Sequence, residues 1–251
     1  MILSKTKFNL YCRLSSRKQR EKLGMFIAEG LKCVADTIPF FTPEAILVKD
    51  GDTETYEKYS EYPVYSVSEA DMRTLSQFQS LPSVIAVYRL PEPREFSKND
   101  YSEGLTLMLD GVQDPGNLGT ILRIASWFGV ARVVIGTGCA DPFNPKAVQA
   151  SMGAVGMVHF SQHDLLDIIE VNPDIPVCGT MLEGTDIYTT PLHLPAFVVM
   201  GNEGSGLSER IREKVNMPLL IPSFADGPHA ESLNVAAATA VTVSEFMRRR
   251  I

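Results

Sequence analysis

The chain has 251 residues, 45% of them hydrophobic and 21% charged, and a formal charge of −7 at neutral pH. This is the make-up of a soluble globular protein with one large core or two modest ones. No apolar run approaches the ~20 residues that span a bilayer, and the opening residues lack the apolar stretch of a secretory signal.

Cys12, Cys33, Cys139 and Cys178 stand far apart with no C-x-x-C pair, which argues against a zinc site and a disulfide framework and for a reducing cytoplasm. The sequence therefore predicts a cytoplasmic protein with no membrane segment, no metal and four buried neutral thiols. Charge is unevenly placed: residues 1–32 hold eight basic and two acidic side chains, a balance of +6 that leaves −13 on the remainder. A basic segment on an acidic body is a footprint for phosphates. On charge alone, a solvated helix face is the plainer reading.

In chain order, Lys5–Lys22 reads as a basic helix, residues 24–28 as a short strand and residues 29–37 as a helix stopped before Pro39. Residues 45–48, 64–67 and 84–88 read as strands, and Ser68 as the N-cap of a helix with acidic residues in its first turn. Residues 90–103, rich in proline and charge, are the expected linker between a domain of residues 1–95 and one of residues 104–251.

Leu105–Leu109 is an apolar strand that ends in Asp110-Gly111 and leads through a glycine loop into a helix, with Ile121, Leu122, Ile124, Ala125 and Phe128 at helical spacing. Arg132–Ile135 is the next strand, and strand–helix–strand crossovers imply parallel pairing. Residues 144–152 and 165–170 read as helices and residues 177–180 as a strand. Phe197–Met200 is a buried strand stopped by Gly201-Asn202-Glu203-Gly204-Ser205-Gly206, whose three glycines let the backbone approach a ligand. Met217–Ile221 is a last strand ended by Pro222, and Ser232-Leu233-Asn234 opens a closing helix. The alternation predicts an α/β domain with a mostly parallel sheet, whose strand-end loops are where such folds bind small ligands.

Several chemical signals are weak. Gly136-Thr137-Gly138 lacks the third glycine of a dinucleotide fingerprint and reads as a turn. His159 and His163 read as a surface pair, Trp127 as a packing residue and His229 as a bystander beside Ser232. Ser232 lacks the G-x-S-x-G setting of a nucleophile. What remains is a polar set on three strand-end loops: Asn117 with Arg123, Asn202 with Glu203, and Ser232 with Asn234. Spacing alone leaves two readings open, a convergent site or a set of helix caps and turn residues, with Ser232 and Asn117 as the plausible caps.

Three stretches carry a resemblance. Asp114-Pro115-Gly116-Asn117-Leu118-Gly119 with Arg123, then Gly201–Gly206, then Ile221-Pro222 with Ser232-Leu233-Asn234-Val235-Ala236, resemble in order and spacing the three signature motifs of the SpoU, or TrmH-type, RNA ribose 2'-O-methyltransferases of the SPOUT superfamily. Arg13, Lys18, Arg20, Gly24, Phe26, Glu29 and Gly30 resemble the substrate-binding domain that many members carry. The resemblance implies a C-terminal domain with a trefoil-knotted, mostly parallel sheet, a smaller N-terminal α/β RNA-binding domain, and a homodimer whose active site draws on both subunits.

It implies S-adenosylmethionine as cofactor, held largely by backbone at Thr180, Met200, Gly201, Ile221 and Leu233. It also implies methylation of a ribose 2'-hydroxyl in RNA, ribosomal in preference to transfer RNA. Arg123 is then the leading catalytic residue, and Asn117, Glu203, Ser232 and Asn234 orient it, the ribose and the loops. Arginine normally stays protonated, so a bidentate clamp on phosphate that also acidifies the 2'-hydroxyl is a better role for it than a base. The segment from Ser223 to Glu231 and the run Ala236-Ala237-Ala238 depart from the family pattern. The alternatives are a nucleotide-dependent α/β enzyme such as a dehydrogenase, and an RNA-binding factor that has lost catalysis.

Overall fold

The structure is a computed structural model and describes residues 1–93, 96–228 and 230–249. His229 and the domain-boundary residue 95 lie outside the described residues. The chain runs α1 (Lys5–Tyr11), α2 (Arg17–Leu23), β1 (Met25–Glu29), α3 (Leu31–Thr37), β2 (Pro43–Lys49), α4 (Thr53–Lys58), β3 (Val64–Val67), α5 (Glu69–Leu75) and β4 (Val84–Arg89). It continues through β5 (Leu105–Leu109), α6 (Pro115–Trp127), β6 (Arg132–Ile135), α7 (Pro145–Ser151), α8 (Ala154–Met157), β7 (Phe160–Gln162) and α9 (Leu165–Val171). It ends with β8 (Val177–Asp186), β9 (Ala196–Met200), α10 (Glu209–Arg212), β10 (Met217–Leu220) and α11 (Val235–Arg248). Two compact units result: Met1–Glu92 with Asp141–Met157, and Pro93–Ala140 with Val158–Ile251. The division expected at residues 95 and 104 assigns 141–157 to the second domain, whereas this segment packs with the first unit.

The first unit is a four-stranded sheet in the order β1-β4-β2-β3, antiparallel except for the β2–β3 pair. One face buries Leu14, Ile27, Leu47, Met72, Ile85 and Val87. The single basic helix expected over Lys5–Lys22 is two helices, broken by a 3-10 turn at Cys12–Ser15 and by extended backbone at Ser16. The break has a cause in Arg20. Its guanidinium turns inward, donates to the carbonyls of Leu14 at 2.8 Å and Ser15 at 2.9 Å, and pairs with Asp141 through Nε at 2.9 Å. Arg20 is 1% exposed, so it does not belong to a solvated basic face. Helix α4 was not legible in composition, though Asp52 caps it by accepting from the Thr55 N–H at 3.0 Å.

The second unit is a six-stranded sheet in the order β10-β8-β9-β5-β6-β7, with every pair parallel. Strands β5 and β9 are buried at every position, as parallel strands covered on both faces must be. One face packs Met108, Val134, Val177, Phe197 and Val199 against Leu165, Ile168, Leu207 and Ile211. Helices α6 and α11 pack together; the buried stripe of α6 is Leu118, Ile121, Leu122 and Ala125.

The expected linker is partly structured. Lys98–Ser102 forms a 3-10 helix closed by a Ser97–Asp100 capping box, and buried Tyr101 meets the Phe197 ring edge-on at 5.7 Å. Trp127, expected to pack, is 84% exposed, because it lies one turn beyond exposed Arg123 and off the buried stripe. Strand β8 also extends past the expected end at residue 180, and the three-residue β7 was too short to recognise.

The thiols follow the expectation unevenly. Cys33, Cys139 and Cys178 are buried, and Cys12 is only half-buried. Burial pushes the Cys33 and Cys178 thiols up to about 12, so neither is a thiolate at neutral pH.

Candidate active site

The sheet order places the site. Strand β5 leads into β6 on one side but is flanked on the other by β9, far later in the chain, so the connections diverge between β5 and β9. Loops leaving the carboxyl ends of two such strands open a crevice between them. The two loops are tied together at their roots. Asp110 accepts from the Ser208 N–H at 2.6 Å, and the Asn202 amide donates to the Gly111 carbonyl at 2.8 Å.

The loop after β9 is a tight backbone hairpin. Asn202 and Gly206 exchange backbone hydrogen bonds of 2.9 and 3.0 Å, and the Asn202 side-chain oxygen accepts from the N–H groups of Gly204 and Ser205. Gly206 sits at φ +70°, where a side chain is strained. A Cβ on Gly201 would lie 2.4 Å from the Gly206 carbonyl carbon. That approach is backbone against backbone, so only glycine fits.

The three loops are joined by a chain of side-chain hydrogen bonds. The Asn234 amide donates to the Asn117 side-chain oxygen at 3.0 Å, and the Asn117 amide donates to Glu203 at 2.9 Å. Each asparagine has a second, architectural bond. Asn234 caps α11 by accepting from the Ala236 N–H at 2.9 Å, while the Asn117 N–H is held by Asp114, the cap of α6, at 2.8 Å. The caps are therefore Asp114 and Asn234, not the expected Asn117 and Ser232, and Asn234 is both a cap and a member of the hydrogen-bonded chain. The backbone N–H groups of Gln113 and Asp114 also reach the two Glu203 carboxylate oxygens at 3.4 Å. Burial alone would push the Glu203 carboxyl up, but these hydrogen bonds outweigh it and hold its pKa below the ordinary value.

Beside this chain lies a cavity of about 770 Å³, within the ordinary range for small-ligand pockets. Thr180, Met200, Gly201, Ile221 and Leu233 all line it, as do Glu203 and Ser232. Thr180 also donates to the Met200 sulfur at 3.8 Å. Asn117 and Asn234 stand behind the wall, bonded to it through Glu203.

Arg123 and Ser232 are placed differently. Both are exposed, and among the described residues neither side chain has a hydrogen bond to the Asn234–Asn117–Glu203 chain. Arg123 is roughly 120° around α6 from Asn117 at 3.6 residues per turn, and it does not line its own chain's cavity. Asp110 and Gln113 escaped sequence reasoning. Asp110 was readable as the polar residue ending β5, whereas Gln113 contributes only its backbone and gives no side-chain signal. Among the described residues no group of three His, Cys, Asp or Glu side chains is placed to hold a metal ion, and no helix is long and apolar enough to cross a membrane.

Comparison with known proteins places this geometry. The SpoU rRNA Methylase family profile matches residues 104–244, and a profile for the MRM3-like substrate binding domain matches residues 10–86. The chain is 31% identical over 237 residues to the 23S rRNA (guanosine(2553)-2'-O)-methyltransferase RlmP of Bacillus subtilis, covering 92% of each chain. A TrmH-family structure from Porphyromonas gingivalis superposes with a TM-score of 0.85 at 38% identity, covering 99% of this chain and 100% of that one. An AdoMet-bound rRNA methyltransferase from Sinorhizobium meliloti superposes with a TM-score of 0.82 at 27% identity, covering 100% and 98%. With its three loops gathered at one switch point and the family profile spanning more than half its length, the chain belongs to the SpoU rRNA methylase family.

Proposed function

We propose that the protein transfers a methyl group from S-adenosylmethionine to a ribose 2'-hydroxyl of ribosomal RNA. The observation that carries this reading is the hydrogen-bonded chain Asn234–Asn117–Glu203, which reaches the cavity at the β5/β9 switch point through Glu203.

The cavity fits the cofactor. Met200, Ile221 and Leu233 offer apolar surface for a base, the Gly201–Gly206 turn offers backbone groups, and ionised Glu203 offers a carboxylate towards a cation. Thr180, Met200, Gly201, Ile221 and Leu233 would hold it. When bound, the cofactor supplies an electrophilic methyl group on a sulfonium. The chain's own task is to align the 2'-hydroxyl and favour its deprotonation; alignment alone can be worth roughly 7–11 kcal/mol. Arg123 clamps the phosphate beside the target ribose and lowers the pKa of the hydroxyl. Asn117, Glu203, Ser232 and Asn234 fix the loops and the ribose.

Arg123 stands outside its own chain's cavity, which supports a homodimer in which each arginine serves the partner's site. The remaining basic residues of segment 1–32 supply further RNA contacts, with Arg20 excluded because it is spent on Asp141. RNA affinity then falls with salt. The reading carries with it a cytoplasmic location, the family knot around the cavity, and RNA binding by the domain of residues 1–95.

The test is calorimetric titration with S-adenosylmethionine and, in parallel, with NAD, followed by transfer of labelled methyl to unmodified ribosomal RNA. Binding of the first alone, with label recovered in alkali-resistant dinucleotides, supports the reading. NAD binding, or label recovered on a base, overturns it.

A further inference from the structure

We infer that Tyr188 and Phe224 form a stacking platform for a base of the substrate RNA at the mouth of the cofactor cavity. The inference rests on the reading of the substrate as RNA. It adds a binding subsite on two residues that lie outside the signature motifs.

Phe224 is 81% exposed and Tyr188 43% exposed. Their rings lie side by side, with centroids 6.3 Å apart and planes inclined by 32°, within the range of ordinary aromatic pairs. The two rings are neighbours and both are open to solvent.

Position gives the pair a use. Phe224 directly follows Ile221, Pro222 and Ser223, all of which line the cavity. Tyr188 directly follows Ile187, whose N–H donates to the Leu220 carbonyl at 2.9 Å, and Leu220 is itself a lining residue. Phe224 thus continues a segment that lines the cavity, and Tyr188 belongs to the segment bonded to it. A ribose presented at the cavity mouth brings its neighbouring nucleotides to the same edge.

The platform is also built on a rigid base. The Tyr188 N–H is held by Asp186 at 2.8 Å, and the Tyr188 carbonyl accepts from Arg249 at 3.0 Å. Arg249 reaches the Ile187 and Thr190 carbonyls as well, and is oriented by buried Glu245. The turn carrying Tyr188 is thereby fixed to the end of α11.

The chemistry selects a base over a protein surface. In the run Ser223-Phe224-Ala225-Asp226-Gly227-Pro228, Phe224 is the one large apolar side chain. The exposed leucines of the same cavity, Leu182 and Leu233, are not aromatic, so the flat faces are confined to this pair, which matches a single base. Asp226 discourages phosphate here, so recognition is by the flat π-face, which every base possesses.

The experiment uses the full-length protein with Phe224→Ala, Phe224→Leu, Phe224→Trp and Tyr188→Leu. The probe is a 12-nucleotide single-stranded RNA carrying 2-aminopurine, whose fluorescence is quenched on stacking. Phe224→Ala, Phe224→Leu and Tyr188→Leu are expected to bind roughly 5- to 150-fold more weakly and to lose the quenching. Phe224→Trp is expected to retain both, and S-adenosylmethionine affinity is expected to stay unchanged throughout.

Wild-type quenching that survives in the leucine variants overturns the platform while leaving the methyltransferase reading intact. So does a sedimentation coefficient that falls in Phe224→Ala, which would make the pair a contact between copies. Failure of the wild type to bind S-adenosylmethionine or to methylate RNA overturns the reading and the platform together.

Discussion

Asn117 holds Glu203 at 2.9 Å through its amide hydrogen while its oxygen accepts from Asn234, so the orientation of its amide is dictated from both sides. An aspartate at this position has the same size but no donor, and it sets a second carboxylate against Glu203. Asn117→Asp is expected to lower kcat roughly 10- to 100-fold, the cost of a lost charged hydrogen bond. Cofactor affinity should change little, because Asn117 does not line the cavity. The pH profile supplies a second check. Glu203 is held below the ordinary carboxylate value, so its hydrogen bonds are intact at neutral pH and are lost only in acid. In Asn117→Asp the two carboxylates repel, and the acid limb of the profile should move up towards neutrality.

Arg123→Ala is expected to abolish methyl transfer while leaving S-adenosylmethionine binding within a factor of a few, since Arg123 is not part of the cavity wall. Arg123→Lys should also be poor, because lysine keeps the charge but lacks the planar fork. Equal loss of binding and transfer would remove Arg123 from the role of phosphate clamp.

Gly201→Ala tests the backbone cradle. The added methyl would press on the carbonyl carbon of Gly206 at 2.4 Å and on the Leu207 nitrogen at 2.5 Å. Neither can swing aside as a side-chain end would, so the hairpin must open. The expected result is about a 5- to 150-fold loss of cofactor affinity by calorimetry, as expected from about 1–3 kcal/mol of local strain.

Glu245 gives a prediction about stability. It accepts from Arg248 at 2.8 and 2.9 Å and from Arg249 at 2.9 Å. These arginines, Arg248 foremost, hold its carboxyl at about 2. Glu245→Gln is expected to lower stability by about 2 kcal/mol, or about 4–8 °C in melting temperature. With a depressed pKa in the folded protein, this contribution is complete above the ordinary carboxylate range and is lost as pH falls towards about 2. Melts of the two proteins should therefore differ at pH 7 and converge in strong acid.

The second unit was largely legible because its signals are strong and local. Continuous apolar runs at Leu105–Leu109 and Phe197–Met200 predict buried parallel strands, while the caps proved to be Asp114 and Asn234 in place of the expected Asn117 and Ser232, because several polar residues crowd each helix start. The neighbouring placement of β5 and β9 was not legible, since no local pattern records which strand pairs with which. For the same reason the bond between Asn117 and Glu203, far apart in the chain, needed the fold to appear. Arg20 misled in the opposite direction. Within a run of basic residues it reads as surface charge, and only the position of Asp141 shows that it is an interior group. Trp127 misled because aromatic character outweighed its place on the helix, one turn past Arg123 on the solvent side.

The pairing of Arg20 with Asp141 bears on how this protein is made. The first unit is not finished when its ninety-second residue leaves the ribosome. It must wait while residues 93–140 are synthesised, because the carboxylate that neutralises a buried guanidinium arrives only afterwards. Until then the Arg20 guanidinium is better left in water than buried unpaired, so the unit is expected to complete its packing only after Asp141 has been made. A gene cut between the two halves would not yield two independent modules. It would yield one piece lacking an anion and another carrying a surplus hairpin of helices, and a division of the enzyme that respects its interior would have to carry residues 141–157 across with the first piece.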